Sequence, residues 1–399
     1  MVLTKGCGFM VYRDRAEQVI KEQYENGFRF YETEGMKRYF QQKREEHKYF
    51  CIFGGGVLGT TLCNWLKKHK IQVDFFCDNN QDKIDMMISG VRFIDFSSLL
   101  ALKDETFVMV SATNKGAGRC YNRDINQQLS EFPYVMPNVL KFIAYYTNDY
   151  KLSYRECLDS AGRIMEALGD EHSRALFLEL LKLKFVDNPS PFADNPLERF
   201  YEPVQYFNSD YYKHVENAVI VDCGAYNGDS LKEFVQLFGD DFERYHCFEM
   251  DCAAYSELEK NCAQLTPNLQ NKIVLYPFGV FSEKGIAYYN ALTDTLGSSI
   301  STDGKKQAQL AVLDQVLENE RVTMIKMDIE DSELPALMGA KRLIEKNHPI
   351  LAISIYHSTE QFFKIPIHIL DNFPFYKLYL GLHTTITDDT VLYAIPEQE

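Results

Sequence analysis

Basic charge is what this chain has least of. Its 399 residues carry 42 Lys and Arg against 57 Asp and Glu, a formal net charge of −15 at pH 7. A general nucleic-acid binder normally shows a basic surface, so that class is disfavoured, although a local basic groove is not excluded. Long hydrophobic runs are missing too, and no stretch is apolar for long enough to span a bilayer. The N-terminus lacks the short apolar segment of a secretory leader. These absences lead us to expect a cytoplasmic protein, with membrane contact at most peripheral. Ten cysteines are present, but they form no Cys-x-x-Cys pair and show no zinc spacing with histidine. They read as reduced, buried thiols. There is no fixed-period repeat and no low-complexity tract.

What is present is an ordinary apolar fraction on a chain long enough for two domains. The most informative stretch is Val219-Ile220-Val221-Asp222-Cys223-Gly224-Ala225-Tyr226-Asn227-Gly228-Asp229-Ser230. A β-branched run ends at an acid, a glycine loop comes next, and Leu231 to Val235 starts a helical pattern. Glycines at 224 and 228 let backbone approach a ligand, and the helix N-terminus offers free N–H groups. A second strand, Arg244 to Glu249, ends in another acid, with Met250 beside it. Glu249 lies about twenty residues past the glycines, where a doubly wound fold places its ribose-diol acceptor. An acid, a glycine loop and a downstream acid suit an adenosine with a cationic amino-acid tail, S-adenosylmethionine, better than a pyrophosphate. Many nucleotide-binding folds share these features.

Taken in order, residues 1–47 read as an N-terminal helical segment, with a charged amphipathic helix over Glu34 to Lys48 packing against the neighbouring domain. Residues 48–140 read as a small Rossmann-like unit. Tyr49 to Phe53 is a buried strand, Gly54-Gly55-Gly56-Val57-Leu58-Gly59 a G-x-G-x-x-G turn into a helix, and Asp78 ends the next strand. Gly54, Gly56, Gly59 and Asp78 could hold a nucleotide; the alternative is a unit kept for docking or dimer contacts, so a homo-oligomer is compatible. Residues 141–199 read as a helical connector closing in the breaker-rich Asp187 to Pro196. Residues 200–399 alternate strand and helix and end in two adjacent strands. That pattern fits an α/β fold with a seven-stranded doubly wound sheet and an antiparallel edge pair. Gly279 to Phe281 and Ile286 to Tyr289 are expected to pair as a hairpin, and Ser332 to Lys346 to form one helix.

Three blocks of the second half resemble the FkbM family of S-adenosylmethionine-dependent methyltransferases: residues 219–230, the run Ile325-Lys326-Met327-Asp328-Ile329-Glu330-Asp331-Ser332-Glu333 continuing through Ala336 to Ala340, and the ending from Tyr376 to Ile395. The likeness covers roughly residues 200–396. It implies a class I methyltransferase sheet and O-methylation of a hydroxyl on a sugar or on a glycan or natural-product precursor. At one position the chain departs: the family usually has glycine where this chain has Asp331. The N-terminal unit is similar to small Rossmann domains of sugar-modifying proteins, which would admit a sugar-nucleotide acceptor.

In-line methyl transfer needs the acceptor oxygen, methyl carbon and sulfur aligned, and an alcohol must lose a proton to a base or a metal. Ligands of a doubly wound sheet lie outside the carboxyl ends of its strands. That rule gathers Asp222, Glu249, Asp328 and His357. Asp222 and the loop Gly224, Ala225, Tyr226, Asn227, Gly228, Asp229 and Ser230 are assigned to the methionine moiety. Glu249 goes to the ribose hydroxyls, Met250 is counted with it as cofactor-binding, and Phe278, Gly279 and Val280 go to the adenine. Asp328 would contact the cofactor's ammonium or the acceptor. His357 is the expected base, since an unperturbed histidine titrates near working pH; the other reading is a helix-capping histidine. Glu330 is a second base, or a partner of Asp328 on a divalent metal whose presence stays undetermined, or simply an acid favoured at a helix start. His383, Thr384 and Thr385, in the loop between the last two strands, could touch substrate, but a solvated loop is the favoured reading. Two rivals remain: a nicotinamide-dependent oxidoreductase using Gly54 to Gly59, weakened by the lack of a Tyr-x-x-x-Lys after that unit, and a nucleotide-sugar-binding protein with a degenerate methyltransferase domain.

Overall fold

The computed structural model describes residues 6–25, 33–111, 123–136, 152, 154–185, 197–207, 210–291, 298–300, 304–384 and 389–397. The breaker-rich 187–196 stretch and Thr385 lie outside them.

In the N-terminal part, β1 (Tyr49–Phe53), β2 (Phe75–Cys77), β3 (Met87–Ile88), β4 (Val91–Ile94), β5 (Thr106–Val110) and β6 (Val135–Met136) form a six-stranded sheet in the order β3-β4-β2-β1-β5-β6. Alternate residues of β1 feed opposite faces, as a period of two demands: Phe50 and Ile52 into one core, Cys51 and Phe53 into the other. The helix Thr33–Glu46 packs on this unit through Phe40, and Arg44 pairs with Asp74 at 2.8 Å. The first helix, Gly6–Glu25, does something else. Its Ala16 and Ile20 join the core of the second half, together with the helices Tyr154–Ala167 and Glu171–Phe185. The helical stretch between the two sheets is therefore built into the second body. Gly169 N donates to Leu378 O at 2.7 Å, and Leu380 N donates to Ser173 Oγ at 3.0 Å.

That body is a seven-stranded sheet. Its strands are β7 (Val219–Cys223), β8 (Arg244–Phe248), β9 (Ile273–Tyr276), β14 (Met324–Met327), β15 (Ile350–Ser354), β16 (Tyr376–Leu382) and β17 (Thr390–Pro396), in the order β16-β17-β15-β14-β7-β8-β9. The chain order reverses between β7 and β14, the switch point at which such sheets open a crevice. Only β17 runs antiparallel to its neighbours, β15 and β16, as the adjacent final strands suggested. Val219, Val221 and Cys223 point into one core and Ile220 into the other, so both faces of β7 are covered.

Two expectations need correction. The strands β10 (Phe278–Val280) and β11 (Gly285–Ala291) do not form a hairpin. β13 (Lys306–Ala311) lies between them, parallel to β10 and antiparallel to β11, in a four-stranded sheet closed by β12 (Ser298–Ile300). The single helix over 332–346 is two, Glu333–Met338 and Lys341–Asn347. The break falls at Gly339, where a Cβ would stand 2.3 Å from Phe281 O.

Candidate active site

A cavity of about 790 Å³ opens outside the carboxyl ends of β7, β8 and β14. The glycine loop forms one wall. Gly224 sits at φ +80°, and a Cβ there would come within 2.0 Å of Asp328 O, so this glycine is demanded by the neighbouring strand end as much as by any ligand. Gly228, at φ +89°, caps the helix Asp229–Phe238. Tyr226, Asp229 and Ser230 line the cavity with Gly224. Ala225 is buried in the core, and Asn227 holds its neighbour helix through its carbonyl, which accepts from Asn261 Nδ2 at 2.8 Å. Glu249, Met250, Phe278, Gly279 and Val280 all reach the cavity. The Glu249 carboxylate accepts from Tyr226 N at 2.9 Å and Asp251 N at 2.7 Å, which fixes its orientation. Each oxygen keeps a lone pair for a further donor. Burial pushes Glu249 up, and the two backbone N–H groups oppose it.

Asp222 is not where the sequence put it. It is fully buried and absent from the cavity wall. Parallel pairing sets it directly opposite Lys326 of β14, whose Nζ lies 2.9 Å from Asp222 Oδ1. Tyr245 donates to Asp222 Oδ2 at 3.1 Å, and Lys326 also donates to Gly224 O at 2.6 Å. Burial raises Asp222, and the ammonium beside it opposes that; Lys326 in turn is held protonated against burial by Asp222 and Asp328. The acid at the end of β7 therefore ties β7 to β14 beneath the cavity rather than lining it. Sequence reasoning overlooked Lys326. One signal was available: a lone cation in the apolar run Met324 to Met327, beside a strand with a lone acid.

Asp328 accepts from Tyr206 at 2.8 Å and from Tyr356 at 3.2 Å, and both tyrosines line the cavity. Burial would raise Asp328, but His357, Lys326 and Tyr206 outweigh it and lower it. His357 is the second correction. Its Nε2 lies 3.3 Å from Asp328 Oδ1 and 3.5 Å from Glu330 Oε2, and its Nδ1 lies 3.1 Å from Glu333 Oε1. Burial alone would lower this imidazole; the surrounding carboxylates, Glu333 and Asp328 above all, raise it well above 6.5 instead. A histidine already holding its proton at neutral pH is a poor base. Glu333, fully buried with Oε1 also accepting from Ile329 N at 2.8 Å, is the partner sequence reasoning failed to single out.

Asp328, Glu333 and His357 bring one donor atom each within 4.8 Å of one another, close enough to suggest a cation site. The ring, however, lies between the acids and turns a different nitrogen to each. Donors that bind one ion converge on one point; here the imidazole spans them, as a protonated ring does. The donor set fits a proton shared between His357 and these acids, with Nε2 the nitrogen that faces both Asp328 and Glu330.

Glu330 and Asp331 both take left-handed backbone, at φ +50° and +77°. Asp331 thus adopts the conformation that a glycine would adopt at lower cost, and aspartate tolerates it better than most residues. Its carboxylate also takes a hydrogen bond from Ser358, the N-cap of the helix Thr359–Asn372. The turn is kept without the glycine, and Glu330 stays on the cavity wall. His383, expected in a solvated loop, lines the cavity as well. Its Nε2 lies 2.9 Å from Tyr393 Oη, and burial lowers it to about 4, so it is neutral.

In the N-terminal unit three of the four expected nucleotide residues, Gly54, Gly59 and Asp78, make contacts within the fold. Asp78 accepts from Gly55 N at 2.8 Å, Asn80 N at 3.0 Å and Lys83 Nζ at 2.6 Å, which leaves little for a ribose. A Cβ on Gly59 would stand 2.1 Å from Gly54 O, so the third fingerprint glycine is a helix-to-strand packing glycine. Ser111 Oγ donates to Gly54 O at 2.6 Å, and Gly56 is the exposed N-cap of the helix Val57–Lys68.

Comparison with known proteins agrees with this geometry. Residues 222–380 match the family model "Methyltransferase FkbM domain". The chain is similar to the crystal structure of Methyltransferase FkbM from Methylobacillus flagellatus KT, with 20% identity and a TM-score of 0.73 over 97% of this chain and 100% of that one. Smaller likenesses include fibrillarin of Aeropyrum pernix in complex with S-adenosyl-L-methionine, at 13% identity and TM-score 0.29 over 45% of this chain and 67% of that one. A putative rRNA methylase from Clostridium thermocellum shows 15% identity and TM-score 0.30 over 46% and 89%. No curated protein matches the chain in sequence. Among the described residues no helix is long and apolar enough to cross a membrane. Residues 222–380, which supply most of the crevice at the β7–β14 switch point, thus match an FkbM methyltransferase domain, and methyl transfer is the class of reaction this match supports.

Proposed function

We propose that the cavity binds S-adenosylmethionine and transfers its methyl group to a hydroxyl of an uncharged or cationic, sugar-like acceptor. The observation that carries the cofactor is the pre-set Glu249. Two backbone N–H groups orient it at the cavity edge between the glycine loop and the Phe278-Gly279-Val280 wall, at the spacing of a ribose acceptor. Asp328 and the loop backbone stand at the end left for the amino-acid tail. The acceptor class is argued from charge. Among the described residues eight carboxylates line the cavity against two lysines. Both lysines are paired, Lys306 with Asp251 at 3.1 Å and Lys326 with Asp222 at 2.9 Å. A pyrophosphate would enter an anionic field with no free cation among these residues to meet it, whereas a sulfonium cofactor and a neutral or amino-bearing acceptor are favoured. Tyr206, Tyr226 and Tyr356 on the wall suit the apolar face of a sugar ring.

The test is to incubate the protein with isotopically labelled methyl donor and a panel of neutral glycosides, amino sugars and sugar nucleotides, and to read which gains one methyl group by mass. Gain in the neutral or amino sugars is expected. Gain confined to the sugar nucleotides would overturn the charge argument.

A further inference from the structure

With His357 already protonated, the proton of the acceptor hydroxyl needs another destination. The lining carboxylates can be sorted by what each is doing. Glu249 holds two backbone N–H groups, Asp251 caps the helix Cys252–Cys262 and pairs with Lys306, Asp328 is engaged by two tyrosines and His357, and Glu330 faces His357. Asp229 turns its carboxylate onto Ser230 N at 2.8 Å, at the start of its helix. One turn further on the same helix face, Glu233 lines the cavity and makes no hydrogen bond or ion pair with any described residue. It stands near the Tyr206–Tyr393–His383 group, whose buried Tyr393 hydroxyl feels its charge.

We propose that Glu233 is the catalytic base, the group that takes the acceptor's proton as the methyl group moves; this rests on the reading that the cavity holds S-adenosylmethionine. The acceptor oxygen attacks the methyl carbon, and the carbon–sulfur bond breaks with its electron pair left on sulfur. The hydroxyl proton passes to the Glu233 carboxylate, which later releases it to water. The products are S-adenosylhomocysteine and the methyl ether. Burial and the neighbouring Asp229 charge push Glu233 up to about 7, a base matched to neutral solution. Sequence reasoning missed it, although Asp229 and Glu233, four apart after a glycine loop, announce two like charges on one helix face.

Sinefungin provides a test that needs no acceptor, because it carries a protonated amine where the cofactor carries its transferable methyl. S-adenosylhomocysteine has nothing at that point. The ratio of the two affinities, measured by calorimetry, therefore reads the charge standing opposite the methyl. The intact protein is expected to prefer sinefungin by about tenfold, the size of a charge-assisted contact. Glu233→Gln should abolish the preference while leaving S-adenosylhomocysteine affinity within about twofold, a tolerance below 0.5 kcal/mol. Glu257→Gln, an exposed lining acid, should leave the preference intact. The proposal is overturned if Glu233→Gln leaves the preference in place, or if it weakens both ligands equally, which would make Glu233 a cofactor-binding or structural group. If neither ligand binds the intact protein, the cofactor reading itself has failed, which is a separate result.

Discussion

Asp222→Ala is expected to destabilise the second body by about 3–5 kcal/mol, read as a lowered urea midpoint, because it strands a buried cation. Lys326 is almost completely buried, and its ammonium lies 2.9 Å from Asp222 with Gly224 O as its other close oxygen contact. Once the carboxylate is removed, the ammonium must either stay charged in an apolar strand or lose its proton, and both cost free energy. The double variant Asp222→Leu with Lys326→Met should recover most of the loss, since two apolar side chains of similar length can replace a buried pair at little cost. A single-variant loss below about 1 kcal/mol would show that the pair is solvated. The same experiment separates two readings of the β7 acid. A cofactor ligand would lose affinity with its fold intact, whereas the tie between β7 and β14 loses the fold first.

The second large effect concerns His357. His357→Gln is expected to cost about 3 kcal/mol near pH 6, since it removes a buried cation from among acids. The pH dependence has a definite sign. The folded-state value of His357 is raised above 6.5, so its contribution is complete below 6.5 and is lost as pH climbs through the raised value. Asp328 is lowered beneath 3.8, so its contribution is present above 3.8 and is lost as pH falls through the lowered value. The gap between wild type and variant should therefore be widest between these limits and should narrow in alkaline solution. A gap that grows with rising pH would mean a neutral imidazole in the folded protein, and His357 would again be a candidate base.

Much of the scaffold was legible because it rests on strong local signals. β1, β5 and β7 are buried apolar runs ended by turns, and their bounds fall where the pattern breaks. The adjacent closing strands announced the antiparallel edge. β13 was hidden by composition: Lys306-Gln307-Ala308-Gln309-Leu310-Ala311 is polar because one face of the small sheet is exposed. The break at Gly339 depends on how closely Phe281 approaches, which no local pattern encodes. In the site the glycine loop, Glu249 and the Phe278-Gly279-Val280 wall could be placed from spacing alone. What each charge does could not. Lys326 meets Asp222 only through strand register, and His357 meets Glu333 only through the fold, so the burial and pairing that set their protonation are tertiary facts. The N-terminal fingerprint shows the same gap, because a packing glycine and a phosphate-binding glycine look alike in sequence.

The most direct test of the central claim, that this crevice holds an adenosyl sulfonium, is calorimetric titration of the full chain with S-adenosylmethionine, S-adenosylhomocysteine and NADH. Saturable binding of the first two, each displacing the other, with no heat from NADH, is the predicted result. Binding of NADH alone, or of none of the three, would contradict it.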